Sequence, residues 1–205
     1  MSAPMQVQAT TSGTTVGRIP LIGLLFVQLF VGYEWFMSGV TKIVRGGFPS
    51  GLGAELADKS TGAAHWYRSF LEDLIIPNAS AVGYLIEIGE LLVGITLIAA
   101  ALVWLLRWER LPRGGRLTVL AMTVLASLAG IVMAVNFHFA NGAPHPWLIP
   151  KSGFDEGVDL DSVLPLVQFV LIAVSVGYWR SLRSTKPLTS RMHAHFGSSH
   201  PSSQK

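Results

Sequence analysis

Four apolar runs divide this chain: about Ile19–Thr41, Ala81–Leu106, Leu117–Ala140 and Val163–Leu182. A helix rises about 1.5 Å per residue, and roughly 20 apolar residues cross a bilayer. Each run is near that length. The pattern therefore predicts an all-α integral membrane protein, a four-transmembrane-helix bundle. Between the first two runs, Gly46–Gly53 is rich in Gly, Pro and Ser and reads as loop. From Ala64 the pattern turns helical. Trp66, Phe70 and Leu74 recur at helical spacing, with Tyr67, Leu71 and Ile75 beside them. This predicts an extra amphipathic helix lying on the outer face and ended by Pro77. Between the last two runs, Pro144, Pro146 and Pro150 make Asn141–Asp161 an irregular cap that carries Trp147.

Charge fixes the expected orientation. Arg107, Arg110, Arg113 and Arg116 face one acid, Glu109, in the short link between the second and third runs. Arg18 precedes the first run, and Arg180, Arg183, Lys186 and Arg191 close the fourth. The last link is acidic, with Asp155, Glu156, Asp159 and Asp161 against Lys151. Lysine and arginine stay on the cytoplasmic side, so both termini and the arginine-rich link are expected there. The net charge of +3 lies beside hydrophobic segments, which points to a membrane surface and not to nucleic acid.

Composition agrees: 50% of the 205 residues are hydrophobic and 13% charged, against about 25% charged in soluble domains. The absence of cysteine excludes disulfides, thiolate nucleophiles, iron–sulfur clusters and covalent haem from this chain alone. Residues 1–17 lack a basic residue and precede a run too long for a cleaved signal, so they read as a disordered cytoplasmic lead-in. Residues 18–183 form the membrane domain. Residues 184–205 read as a disordered cytoplasmic tail, with a metal site on His193, His195 and His200 as the lesser reading.

The chemistry lies in polar groups inside the apolar runs. Glu87 and Glu90 sit three apart on one helix face, with Gly83 and Gly94 on the same stripe. A charge in hydrocarbon costs at least about 2.5 kcal/mol. Two close carboxylates in low dielectric cannot both stay charged cheaply. That arrangement serves proton transfer, and a packed structural acid pair shows it too. Counting inward from the outer ends puts Glu34 level with Glu87, with Tyr33, Ser38 and Tyr84 close by. Asn136, His138 and Gln168 come near the same depth. The expectation is a polar pocket in the outer half of the bundle. Glu34 also reads as a solvated acid paired with Lys42 or Arg45, His138 as a structural histidine and Asn136 as interhelical glue. The tryptophans read mainly as an interfacial belt. Haem between helices needs two axial histidines at depth, and only His138 qualifies, so neither haem nor metal is expected.

With these residues in hand, the chain resembles the DoxX/DoxD-like membrane proteins. Arg18, Gly23 and the GVTK ending of the first run, Gly39–Lys42, are similar to that family's first helix. HWYRSFLEDLIIP is similar to the tryptophan and proline-ended segment of the DoxD type. ELLVGITL, Glu90–Leu97, matches its glutamate, glycine and leucine spacing, and MAVNFH its late histidine. The fourth run ends VGYWRSLR, unlike the glycine-rich ending common in DoxX proteins, and Glu34 and Glu87 are additional to the motif. The resemblance implies a bacterial inner-membrane subunit of the thiosulfate:quinone oxidoreductase type. That reaction oxidises thiosulfate to tetrathionate and reduces a quinone beside a partner redox subunit. On this reading Glu87 and Glu90 carry protons, Glu34 and His138 link them to water, and Tyr33 or Tyr84 bonds a quinone carbonyl, with Asn136 and Gln168 lining the site. A non-catalytic anchor subunit and a small proton-coupled carrier are the alternatives.

Overall fold

The computed structural model describes residues 18–141 and 160–184. In chain order the helices are α1 (Arg18–Arg45), α2 (Phe48–Ser60), α3 (His65–Phe70), α4 (Ala79–Arg107), α5 (Arg113–Ala140) and α6 (Leu160–Ser184). Helices α1, α4, α5 and α6 contain the four apolar runs, and each is long and apolar enough to cross a membrane. In hydrocarbon every backbone N–H and C=O must be satisfied within the protein, which is why each run is one unbroken helix. The molecule is an all-α membrane bundle. The predicted cap around Trp147 and both terminal tails lie outside the described residues.

Helix α1 packs along α4, and α5 along α6, while α4 joins the two pairs and α1 scarcely meets α6. Small residues set the α1–α4 distance. A Cβ on Gly39 would lie 2.7 Å from the Leu91 nitrogen, and one on Gly94 would overlap the Phe36 backbone. Gln28 Nε2, buried on α1, donates to the Leu97 carbonyl of α4 at 3.0 Å. Lipid tails offer little net hydrophobic drive between helices, so close backbone approach and such bonds carry the association.

The Gly46–Gly53 stretch is not simply loop. Gly46 and Gly47 turn the chain with φ of 68° and 78°, but Phe48 onward is helical. Pro49 fits the first helical turn, where its missing N–H costs nothing. Pro49, Leu52, Leu56 and Ser60 then recur on one face and are buried. Gly83 of α4 leaves room for Pro49 against the helix backbone. Burial of this face overrides the local breaker composition. Helix α2 thus closes one end of the bundle, called here the capped end.

The helix after Ala64 also differs from expectation. Tyr67 and Leu71 face inward, while Trp66, Phe70 and Leu74 face out. Pro77 does not end it. A π-helical turn, Leu71–Ile75, and a 3-10 turn, Ile76–Asn78, carry α3 directly into α4. Tyr67 Oη donates to Asn136 of α5, whose carbonyl and Oδ1 lie 3.0 and 3.1 Å away. Asn136 Nδ2 in turn donates to the Val132 carbonyl at 2.7 Å. Tyr67→Phe keeps the ring packing and removes this link, so it should cost about 1 kcal/mol. Thermal unfolding in detergent should show a midpoint lower by about 3 °C.

The tryptophan belt needs correction as well. Trp35 and Trp104 are 2% and 7% exposed and belong to the core. Trp35 packs beside Phe137, and Trp104 stacks on Trp108. Of the described tryptophans, Trp66 is the one that is broadly exposed, as a belt residue should be.

Candidate functional site

Gly83, Glu87, Glu90 and Gly94 all lie on the buried face of α4, as their spacing predicted. Glu90 is wholly buried and meets Lys42 from the last turn of α1. Lys42 Nζ donates to Glu90 Oε1 at 2.8 Å and to Oε2 at 2.7 Å. It donates again to Ser38 Oγ at 2.7 Å. The rings of Phe48 and Phe137 stand 5.2 and 5.9 Å from the ammonium, within reach of a cation–π attraction. Lys42 keeps 22% of its side chain exposed, whereas Glu90 keeps none. The ammonium therefore stands between the carboxylate and the outside. A buried carboxylate without a partner costs several kcal/mol, and the charge and two hydrogen bonds of Lys42 offset that cost.

The pair opens onto a cleft of about 280 Å³. Glu34, Trp35, Ser38 and Lys42 of α1 form one wall, and Phe137 and Leu164 stand on α5 and α6. Helix α2 contributes Phe48, Leu52, Glu55 and Lys59, the last two joined at 2.8 Å. A second cavity, about 240 Å³ and almost wholly apolar, shares Leu52, Leu56, Phe137 and Ala140 with the first. Its other residues include Leu85 and Val132, which are exposed on the membrane-facing surface.

The predicted residues separate into two groups. Glu90 and Glu34 line the cleft, and Glu87 is buried one turn toward the capped end from Glu90. Tyr33 and Tyr84 are exposed and stand outside the cleft lining. His138 is buried beside Phe139. Asn136 serves the Tyr67 link. Gln168 is wholly buried between α5 and α6, with its amide in the notch left by Gly130. Neither Gln168 amide atom, nor Ser127 Oγ, nor the Trp35 indole nitrogen has a hydrogen-bond partner among the described residues.

Glu34 is not level with Glu87. The facing pairs Gly39–Leu91, Phe36–Gly94 and Gly32–Ile98 run antiparallel in step. Glu34 then falls near Thr96, roughly 9 Å deeper than Glu90. Depths counted from the two helix ends differ from this register because the ends are not level: α1 runs on past Thr41 to Arg45, and Arg45 falls opposite Leu85, so the first six residues of α4 rise beyond it. Lys42 is what stands level with the acids, and sequence reasoning did not pair it with them. Its signal was present: a lysine inside the last turn of an apolar helix needs a partner as much as a glutamate does.

Among the described residues, no three His, Asp or Glu side chains are grouped to hold a metal ion. Neither protein-family models, nor curated proteins, nor solved structures gave a match to this chain.

Proposed function

We propose that this chain is the quinone-interacting subunit of a membrane oxidoreductase and that the Lys42–Glu90 cleft receives the quinone ring. The observation that carries this reading is a wholly buried glutamate, gripped by a lysine, in a cleft that shares a wall with an apolar cavity. A quinone has the same two parts, a polar ring and an isoprenoid tail. The ring occupies the cleft, and the tail lies in the apolar cavity toward the lipid. A cleft near 300 Å³ is at the small end of ligand sites, which suits one ring.

Reduction of a quinone takes up two electrons and two protons, and oxidation of the quinol releases them. The electrons come from a donor substrate, thiosulfate in the DoxD type, or from a partner redox subunit. Lys42 places positive charge where a carbonyl oxygen becomes negative during reduction, which is electrostatic stabilisation of the developing charge. Glu90 passes both protons in turn, taking each from water during reduction and returning each to water during oxidation, and Glu34 is a second acid on the same cleft wall.

Glu90→Gln tests this. The amide keeps the shape and can still accept from Lys42, but it cannot exchange the proton. Quinone-linked turnover of the purified complex should fall by about 100-fold or more, with folded protein retained. A solvent extract of the wild-type protein should contain quinone. Unchanged turnover together with unchanged stability would remove the cleft from consideration. One observation favours an anchor subunit instead: Trp66, Phe70 and Leu74 form an exposed row beside the capped end. In that case a partner complex in mild detergent survives replacement of Glu34, Glu87 and Glu90 together.

A further inference from the structure

The other end of the bundle holds a third cavity, of about 400 Å³, far from the acid pair. Leu25 and Trp104, both buried, lie at its floor with Leu21 and Tyr178. Trp104 stacks on Trp108 at 4.0 Å, and Tyr178 meets Trp104 edge-on at 5.1 Å, so the aromatic side is rigidly packed. Ile22 and Leu106 continue the lining onto the exposed apolar surface, at 43% and 74% exposure. Arg107 and Arg110 stand on the rim.

The arginines at this end differ in what they already do. Arg116 donates to the Leu111 and Glu109 carbonyls, both at 3.1 Å, and lies over the Trp108 ring. Arg113 donates to the Arg183 carbonyl at 3.4 Å, and Arg183 lies over Trp179. These three tie the ends of α4, α5 and α6 together. Arg107 and Arg110 are exposed, and neither has an ion pair or side-chain hydrogen bond among the described residues. The acid on the rim, Glu109, is already engaged.

We infer that this cavity binds an anionic phospholipid, with the phosphate on Arg107 and Arg110 and the first part of an acyl chain against Leu21, Ile22 and Leu25. Three features select that occupant. The rim carries two guanidinium groups without protein partners among the described residues, whose planar forks match phosphate oxygens. The floor is hydrocarbon and aromatic, which a free inorganic ion would leave unfilled. The cavity lies where an apolar span meets an arginine cluster flanked by tryptophans, the level of lipid headgroups. Basic pockets at the ends of membrane helices recognise lipid headgroups by this combination of charge and depth.

The test uses full-length protein in nanodiscs of phosphatidylcholine with a minority of phosphatidylglycerol. Native mass spectrometry then counts the lipid retained on the released protein. Wild type should retain phosphatidylglycerol in preference to phosphatidylcholine. Arg107→Gln with Arg110→Gln should reduce that retention roughly 25-fold, since each basic group near a headgroup contributes a factor of about five. Both side chains are exposed, so the thermal midpoint without phosphatidylglycerol should stay in place. Ile22→Trp fills the hydrocarbon half, keeps both arginines and should also weaken retention. If Ile22→Trp leaves retention unchanged, the arginines act only as a diffuse charge and no cavity site exists. If inorganic phosphate displaces the lipid completely, the site takes free phosphate and the lipid assignment fails. Equal retention of the two lipids by wild type overturns it as well.

Discussion

Replacing Lys42 with methionine should lower the thermal midpoint by about 10 °C, the largest loss expected from any single polar substitution in this chain. The reason is asymmetry within the pair. Glu90 is wholly buried, while Lys42 keeps 22% of its side chain exposed. Without Lys42, a carboxylate in the bundle loses two hydrogen bonds of 2.7 and 2.8 Å and its counter-charge. Breaking a buried ion pair from one side costs about 3–5 kcal/mol, and each kcal/mol shifts a domain of this size by about 2–4 °C. Glu90→Gln should cost less. The ammonium can extend along its own stem toward the surface, and Ser38 still accepts from it. Lys42→Met with Glu90→Met removes both charges and should restore most of the stability, because an apolar pair of similar volume suits the site. The measurement is thermal unfolding of all four proteins in one detergent. If Lys42→Met and the double variant unfold at the same temperature, Lys42 is not compensating Glu90.

That ion pair also marks the boundary of what the sequence made legible. The four spans depend only on apolar length, so they could be read without tertiary information. The shared face of Gly83, Glu87, Glu90 and Gly94 depends only on helical spacing, and it too could be read directly. The partner of Glu90 could not. Lys42 is 48 residues away, and their meeting depends on where α1 ends against α4. Hydropathy ended α1 at Thr41, but the helix runs on through Lys42 to Arg45, carrying the lysine into the last turn and across from the acids. Helix α2 was hidden for a different reason. Its Gly, Pro and Ser content signals a loop locally, and only the burial of Pro49, Leu52 and Leu56 holds it helical. Trp35 shows the same limit, since nothing local separates a belt tryptophan from a core one.

Packing and chemistry meet at Gly94. Gly94→Ala should destabilise the bundle by about 1–3 kcal/mol and should also disturb the Lys42–Glu90 site. In an ordinary helix interior the change from glycine to alanine gains about 1 kcal/mol. Here the new Cβ would overlap the nitrogen, Cα and Cβ of Phe36. Those are mostly backbone atoms, so no side-chain rotation relieves the overlap, and α1 must move away from α4. Gly94 lies one turn from Glu90, and Gly39, the matching contact on α1, lies one turn from Lys42. Separating the two backbones therefore lengthens the ion pair directly. Gly89→Ala is the internal control on the same helix. Its Cβ would meet only Met133 Sδ at 3.4 Å, the end region of a flexible side chain, so stability should hold or rise slightly. Thermal midpoints separate the two substitutions, and quinone-linked turnover gives the second readout. Loss of turnover in Gly94→Ala at a temperature where the protein remains folded would show that the glycine contact sets the geometry of the pair. Equal behaviour of the two alanine variants would show that α1 and α4 do not depend on this approach.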